Sequence, residues 1–171
     1  SIFLLQGPPG TGKTQTISEL VYQFNKMGKR VLLSSQTHVA IDNVLEKIIT
    51  HKDADRLLSL INPVRVGDES NVYSECVKPF IYSNIMKNVP EEYQDIVTDS
   101  FNLVCGTTIG VLSFPPIFSK VEDAKGTSIE ALFDYMILDE ASKTTFSEFL
   151  VPAVLSKRWV IVGDVKQLAP Y

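Results

Sequence analysis

A glycine-rich loop near the start of the chain constrains the fold more than any other feature of the sequence. The loop, Gly-Pro-Pro-Gly-Thr-Gly-Lys-Thr over residues 7–14, matches the pattern G-x-x-x-x-G-K-[ST]. A short apolar run at residues 2–5 precedes it, and apolar residues with helical spacing follow between Ile17 and Phe24. A strand, a loop of this type and a helix in this order predict an α/β fold with a parallel sheet flanked by helices.

The residue types of the loop suit the binding of a nucleotide phosphate. Glycines let backbone N–H groups turn toward phosphate oxygens, and a helix that begins near Lys13 points its positive end at the same anion. Lys13 is expected to reach the terminal phosphates and Thr14 to ligate Mg²⁺, so ATP and Mg²⁺ are the predicted cofactors. A turn that binds nothing is the alternative, which the flanking strand and helix disfavour. The predicted nucleotide-binding residues are Gly7, Pro8, Pro9, Gly10, Thr11, Gly12, Lys13, Thr14 and Gln15.

Two adjacent carboxylates follow a second apolar run, at residues 135–138. Ligands of open α/β sheets bind at the carboxyl ends of the strands, which is where Asp139 and Glu140 are expected to lie. Asp139 suits a ligand of Mg²⁺, and Glu140 suits a general base that activates a water molecule. A solvated acidic turn is the alternative, and it would be preferred if the glycine-rich loop were absent.

The rest of the chain divides into regular and irregular stretches. Short apolar runs predict further strands at residues 31–34, 64–66, 101–105 and 159–162. A second amphipathic helix is predicted to bury Ile41, Val44, Leu45 and Ile48, and to leave Asp42, Glu46 and Lys47 outside. Residues 68–99 are expected to form a variable, mostly helical insertion, and residues 113–130 a loop. We therefore expect one domain over residues 1–171, cut from a longer protein.

Bulk composition narrows the class of partner. The net charge of −4 argues against a strongly basic nucleic-acid-binding module, so any strand would be held by placed contacts. Two cysteines are too few for a disulfide framework or a four-cysteine zinc site. No apolar run has the length of a membrane span, and we expect a soluble, intracellular protein with no membrane partner.

Several segments together resemble the motifs of superfamily-one helicases. Residues 7–14, 139–142 and 163–170 look like motifs I, II and III of that superfamily. Residues 34–44 are similar to motif Ia of the branch that contains senataxin, the nonsense-mediated-decay helicase and bacterial relatives. Residues 64–67 and 104–108 look like the Ib and Ic segments of the branch. The likeness is weak over residues 68–99 and 113–130.

The resemblance implies the first RecA-like motor domain of an ATP-driven helicase, completed by a second RecA-like domain that supplies arginine fingers. It implies that Lys13 and Thr14 meet phosphate and Mg²⁺, that Asp139 binds Mg²⁺, and that Glu140 is the catalytic base. It adds Gln6 to the nucleotide site and makes Gln167 the sensor of the γ-phosphate. The residues that would touch single-stranded DNA or RNA are Ser35, Thr37, His38 and Thr107.

Other interpretations stay open for parts of this pattern. Thr37 could simply cap the second helix, and His38 could be an ordinary exposed residue. Lys143 and Phe146 stand where the branch usually has Gln and Glu, so the flank of motif II departs from the family. A nucleotide-gated binding protein that does not unwind would use the same motifs, whereas a small-molecule kinase has no use for residues 163–170. The segment alone is expected to be monomeric, to bind Mg-nucleotide and to hydrolyse it slowly.

Overall fold

Six parallel strands form one sheet in the computed structural model, which describes residues 1–124, 129–164 and 166. The strands are β1 (Ile2–Gln6), β2 (Val31–Ser35), β3 (Pro63–Arg65), β4 (Leu103–Thr107), β5 (Phe133–Asp139) and β6 (Ser156–Gly163). Their spatial order is β1-β6-β5-β2-β4-β3, and every pair is parallel. All six carboxyl ends therefore lie along one edge of the sheet, which is where the predicted site residues occur.

Seven α-helices connect these strands in the described part of the chain. They are α1 (Lys13–Lys26), α2 (His38–Ile49), α3 (Ala54–Leu58), α4 (Tyr82–Met86), α5 (Glu91–Ser100), α6 (Pro115–Ala124) and α7 (Phe146–Val154). Short 3₁₀ turns occur at Glu69–Asn71, Lys78–Phe80, Gly110–Ser113 and Ala141–Lys143. None of the described helices is long and apolar enough to cross a bilayer.

The two faces of the sheet carry separate hydrophobic cores. Because successive side chains of a strand point to opposite faces, Val31 and Leu33 pack with α1 and α2, whereas Leu32 packs on the other side. That second core includes Met86 of α4 and Ile117 of α6. Helices on both faces of a parallel sheet confirm the predicted α/β class.

The prediction of a loop over residues 113–130 was wrong for its first part. Helix α6 begins at Pro115, with Pro116 as its second residue, and runs to Ala124. Proline is compatible with the first turn of a helix, since the N–H groups there have no partner within the helix. Ile117 is fully buried against the second core, and this packing stabilises a helix that the two prolines alone would not suggest.

Short helices and 3₁₀ turns make up most of the segment at residues 68–99. It contains two 3₁₀ turns, the five-residue helix α4 and all of α5 except its last residue. Its buried anchors, Val77 and Ile81, pack with Leu45 of α2 in a small cluster of their own. The segment is therefore tied to α2 through this cluster, and to the sheet through Met86 of α4 and a bridge between Ile81 and Arg65.

Candidate nucleotide-binding site

The register of the sheet brings the predicted motifs together at its carboxyl edge. Gln6 lies opposite Gly163 across the β1–β6 pair, and Ser35 lies opposite Asp139 across the β2–β5 pair. On its other side Ser35 lies opposite Thr107 of β4. Segments that are more than one hundred residues apart in sequence thus end on neighbouring strands.

The glycine-rich loop between β1 and α1 has the backbone shape that the sequence predicts. Gly10 and Gly12 have φ angles of 80° and 84°, a left-handed conformation that few residues other than glycine adopt without strain. Gly12 is also the N-cap of α1, and it has no side chain to satisfy the first N–H groups of that helix. The loop therefore presents free backbone donors and the positive end of a helix dipole to an anion.

Lys13 is held by its own loop. Its Nζ atom donates to the carbonyl oxygens of Gly7 at 2.6 Å and Pro8 at 2.9 Å, and Thr11 Oγ1 donates to Pro8 O at 2.7 Å. The loop thus holds the ammonium group through carbonyl oxygens, and no described carboxylate pairs with it. The backbone N–H of Gly7 donates to Gly163 O at 3.1 Å, which ties the base of the loop to the end of β6.

Asp139 provides a partly protected carboxylate beside this loop. It is the last residue of β5, it is buried, and one of its oxygens accepts the backbone N–H of Glu140 at 2.8 Å. Burial raises the pKa of the Asp139 carboxyl above its usual range, and that N–H bond together with the charges of Lys13 and Lys143 opposes the rise. A carboxylate of Asp139 and the hydroxyl of Thr14 are hard oxygen donors, and both line the cleft, so they fit Mg²⁺.

Glu140 has an unusual backbone and two side-chain partners. Its φ of 53° is the left-handed conformation, which costs about 1 to 3 kcal/mol for a residue with a side chain and is concentrated at functional sites. Its Oε2 accepts from Thr37 Oγ1 at 2.9 Å, and its Oε1 accepts from Lys143 Nζ at 2.8 Å. Residue types alone could not have predicted the bond from Thr37, because it depends on the sheet order that places β2 beside β5.

A cleft of about 690 Å³ joins these groups. Its walls include the loop, Thr37, Asp139, Glu140 and Lys143. Three further polar residues that line it have no role predicted from the sequence: Asn43, Lys47 and Asp164. The spacing of Asn43 and Lys47, four residues apart on α2, is the signal that would have placed both on one helical face.

The four predicted contacts to nucleic acid separate into two groups. Ser35 is fully buried, so the prediction that it touches a strand is corrected: the structure gives it no surface for that contact. Thr37, His38 and Thr107 are partly exposed at the same edge of the sheet. Thr37 Oγ1 also accepts the N–H of Ala40, which confirms its alternative role as the N-cap of α2. Gln167, the predicted γ-phosphate sensor, lies outside the described residues.

A buried ionic network lies next to the cleft, and it overturns the prediction that Asp42 faces outward. Arg65 is 0% exposed, and its Nε donates to Asp42 Oδ1 at 2.8 Å. A second guanidinium nitrogen lies 2.9 Å from His38 Nδ1, and Tyr73 N–H donates to the other oxygen of Asp42. A guanidinium can only donate, so Nδ1 of His38 accepts and the proton of the neutral ring is on Nε2. Asp42 is buried because its partner, Arg65 of β3, is buried beside it.

The two departures from the family pattern have different surroundings. Lys143 points into the cleft and pairs with Glu140. Phe146, the first residue of α7, is 73% exposed and stacks on Phe149 with ring centroids 6.2 Å apart. The structure therefore connects only Lys143 with the nucleotide-binding residues.

The sequence is similar to parts of several helicases. It is 34% identical over 169 residues to the yeast (Saccharomyces cerevisiae) DNA replication ATP-dependent helicase/nuclease DNA2, covering 98% of this chain and 10% of that protein. The human DNA2 protein is also 34% identical, with 98% of this chain and 14% of the relative covered. The putative ATP-dependent RNA helicase ECM32 of the same yeast is 28% identical, over 100% and 17%. The chain thus spans only about a tenth to a sixth of these relatives.

Solved structures agree on the fold. The UvsW helicase of bacteriophage T4 matches with a TM-score of 0.57 at 15% identity, covering 96% of this chain and 48% of that one. An arterivirus helicase, nonstructural protein 10, solved in a complex with DNA, matches with a TM-score of 0.53 at 16% identity, over 100% and 30%.

A family model covers the whole chain in two overlapping matches. The model describes an AAA domain, AAA_11, and matches residues 1–100 and 81–171. Together with the helicase relatives and the parallel RecA-like sheet, this match identifies the chain at the level of its family. The chain belongs to the AAA_11 family of AAA domains.

Proposed function

We propose that this chain binds and hydrolyses ATP as the first motor domain of a longer helicase or translocase. One observation carries the proposal: a phosphate-binding loop and the Asp139–Glu140 pair line the same cleft, although 125 residues of sequence separate Thr14 from Asp139. A loop alone would indicate nucleotide binding. A carboxylate pair beside the loop adds the groups that hydrolysis needs.

Each group of residues in the cleft has a different role in the proposed reaction. The backbone donors of the loop and the ammonium group of Lys13 bind and orient the phosphates, which replace the carbonyl oxygens that Lys13 contacts now. Thr14 and Asp139 would hold Mg²⁺, and the ion neutralises phosphate charge when it is bound. Glu140 accepts a proton from the attacking water. We assign Gln167 the role of γ-phosphate sensor, as the motif resemblance implies.

The proposal extends to groups outside this segment. A second RecA-like domain would close the cleft and supply arginines, which contribute about 10³ to 10⁵ in turnover in other phosphoryl-transfer enzymes. Thr37, His38 and Thr107 would meet the phosphate backbone of a single strand, because their partly exposed polar groups share one edge of the sheet. We expect the segment by itself to bind Mg-nucleotide and to turn it over slowly.

The test is ATP hydrolysis by the full-length protein with single-stranded DNA, with single-stranded RNA, or with neither. A Glu140→Gln variant should bind a fluorescent ATP analogue like the wild type and lose about 10² to 10⁴ in turnover, the usual contribution of a general base. Normal turnover in this variant would remove Glu140 from the role of base. Strand-stimulated hydrolysis without any unwinding would favour a nucleotide-gated switch over a helicase.

A further inference from the structure

Lys143 is a charged residue in the cleft to which the reaction scheme above gives no task. It ends the 3₁₀ turn Ala141–Lys143, which follows Glu140 directly. Residues three apart eclipse each other in a 3₁₀ turn, and the Lys143 ammonium accordingly lies 2.8 Å from Glu140 Oε1. The Lys143 side chain is 41% exposed, so it can leave this partner without opening the core.

The second oxygen of Glu140 is held from the opposite side of the cleft. Thr37, which follows β2 and caps α2, donates its hydroxyl proton to Oε2 at 2.9 Å. A threonine hydroxyl has one proton to donate. Thr37 therefore cannot donate to Glu140 and to the phosphate of a bound strand at the same time.

We propose that Lys143 and Thr37 restrain the Glu140 carboxylate when no strand is bound, and that a single strand relieves the restraint by taking the Thr37 proton. Lys143 is a positioning residue in this scheme, because it acts through Glu140. The proposal rests on the proposed function, and it adds regulation to the same site. Hydrolysis without a strand is slow because each oxygen of the base already accepts a hydrogen bond from the protein.

The surroundings of Lys143 argue against a purely structural role. The ion pair is partly exposed on both sides, and such pairs contribute little to folding stability. Lys157 provides a matched comparison, since it forms a similarly exposed pair with Asp134 at 3.2 Å near the opposite end of the strands. A role in folding predicts similar behaviour of the two lysines, whereas restraint of Glu140 predicts that only Lys143 affects hydrolysis.

The experiment measures ATP hydrolysis by the full-length protein with and without an oligothymidylate strand. Lys143→Met should raise the strand-free kcat about two- to five-fold, in keeping with the loss of one partly exposed ion pair, and leave the KM for ATP within about two-fold. Lys143→Arg, which keeps the charge, should stay closer to the wild type than Lys143→Met. Lys157→Met should not change kcat.

Thr37 gives the second arm. Thr37→Val should raise the strand-free kcat and reduce the stimulation by the strand, whereas Thr37→Ser, which keeps the hydroxyl, should stay closer to the wild type than Thr37→Val in both values. Thermal unfolding of each variant checks that α2 keeps its place without its cap. A strand-free kcat of Lys143→Met that equals or falls below that of the wild type would overturn the restraint.

Nucleotide binding separates the two possible failures. If the wild type binds a fluorescent ATP analogue and hydrolyses ATP with a strand, but Lys143→Met is no faster without one, only the restraint is wrong. If the wild type neither binds the analogue nor hydrolyses ATP under any condition, the proposed function is wrong, and the restraint falls with it.

Discussion

Arg65 and Lys13 are cationic side chains at the same edge of the sheet, but they differ in burial and in the kind of partner they have. Arg65 at the end of β3 is fully buried, and it donates to Asp42, to the carbonyl of Val66 and to His38. Lys13 at the start of α1 is partly exposed, and within the described part of the chain its ammonium group donates to carbonyl oxygens of its own loop. The permanent carboxylate partner of Arg65 marks a structural ion pair. The carbonyl partners of Lys13 are weaker and can be replaced, as expected of an ammonium group that binds a ligand.

The difference teaches how to separate stability from activity in this domain. A buried charge that loses its partner is costly, because nothing else solvates it. An exposed ammonium that loses a carbonyl contact is solvated by water at little cost. Substitution of Arg65 should therefore change the free energy of unfolding, and substitution of Lys13 should change ligand binding.

The largest effect is expected for Arg65→Met. Removal of the guanidinium leaves the Asp42 carboxylate buried without its counter-charge, and the free energy of unfolding should fall by about 3 to 5 kcal/mol. Urea denaturation measures this loss. The double variant Asp42→Asn, Arg65→Met serves as the control, because it removes the orphaned charge and keeps an acceptor for the Tyr73 N–H. Equal stability of the single and double variants would contradict the assignment.

A smaller effect, on ligand binding and not on folding, is expected for Lys13→Met. Loss of charge-assisted hydrogen bonds to phosphate should weaken ATP binding by about 2 kcal/mol, or roughly thirty-fold. The free energy of unfolding should stay within about 0.5 kcal/mol of the wild type, since the lost bonds are partly exposed. Calorimetric titration with Mg-ATP and urea denaturation measure the two quantities. A large loss of stability with intact binding would reverse the comparison.

The smallest effect concerns the pH dependence contributed by His38. Burial lowers the pKa of this imidazole, the charge of Arg65 lowers it further, and Asp42 opposes them. The unfolded chain therefore binds a proton at a higher pH than the folded chain does. Stability from this source is complete above the ordinary histidine pKa of about 6.5 and decreases as the pH falls below it.

The comparison of wild type with His38→Gln isolates this contribution. Glutamine keeps an acceptor for Arg65 but does not titrate. Between pH 7.5 and pH 5 the free energy of unfolding should decrease more for the wild type than for the variant. This difference should be smaller than the effects expected for Arg65→Met and Lys13→Met. Urea denaturation at several pH values gives the difference, and identical pH dependence of the two proteins would show that His38 does not titrate in this range.

The sequence predicted the arrangement of strand, loop, helix and carboxylates at this edge well, because its signals are local. The glycine positions, the flanking strand and helix, and the carboxylates at a strand end each follow from residue type and spacing. Helix α6 was missed because packing of Ile117, a tertiary effect, outweighs the appearance of its two prolines. Asp42 was placed outside because amphipathic spacing cannot show that a distant arginine is buried beside it.

The hydrogen bonds of Glu140 could not be predicted from the sequence for a related reason. Thr37 and Glu140 are 103 residues apart and meet only because β2 and β5 are neighbours in the sheet. Motif spacing identified both residues without showing that they touch. Lys143 was noticed only as a departure from a family pattern, and its pairing with Glu140 needed the geometry of the 3₁₀ turn.

The position of β1 has a mechanical consequence. This strand lies at one edge of the sheet, pairs with β6 alone among the described strands, and leaves Ile2, Phe3 and Leu4 59–71% exposed. The phosphate loop is thus anchored on one side, through β1 and through the bond from Gly7 N–H to Gly163 O. Movement of β6 along its axis would pull the base of the loop with it. A displacement of the end of β6 is therefore expected to change the shape of the loop, and with it the affinity of the proposed site for a nucleotide.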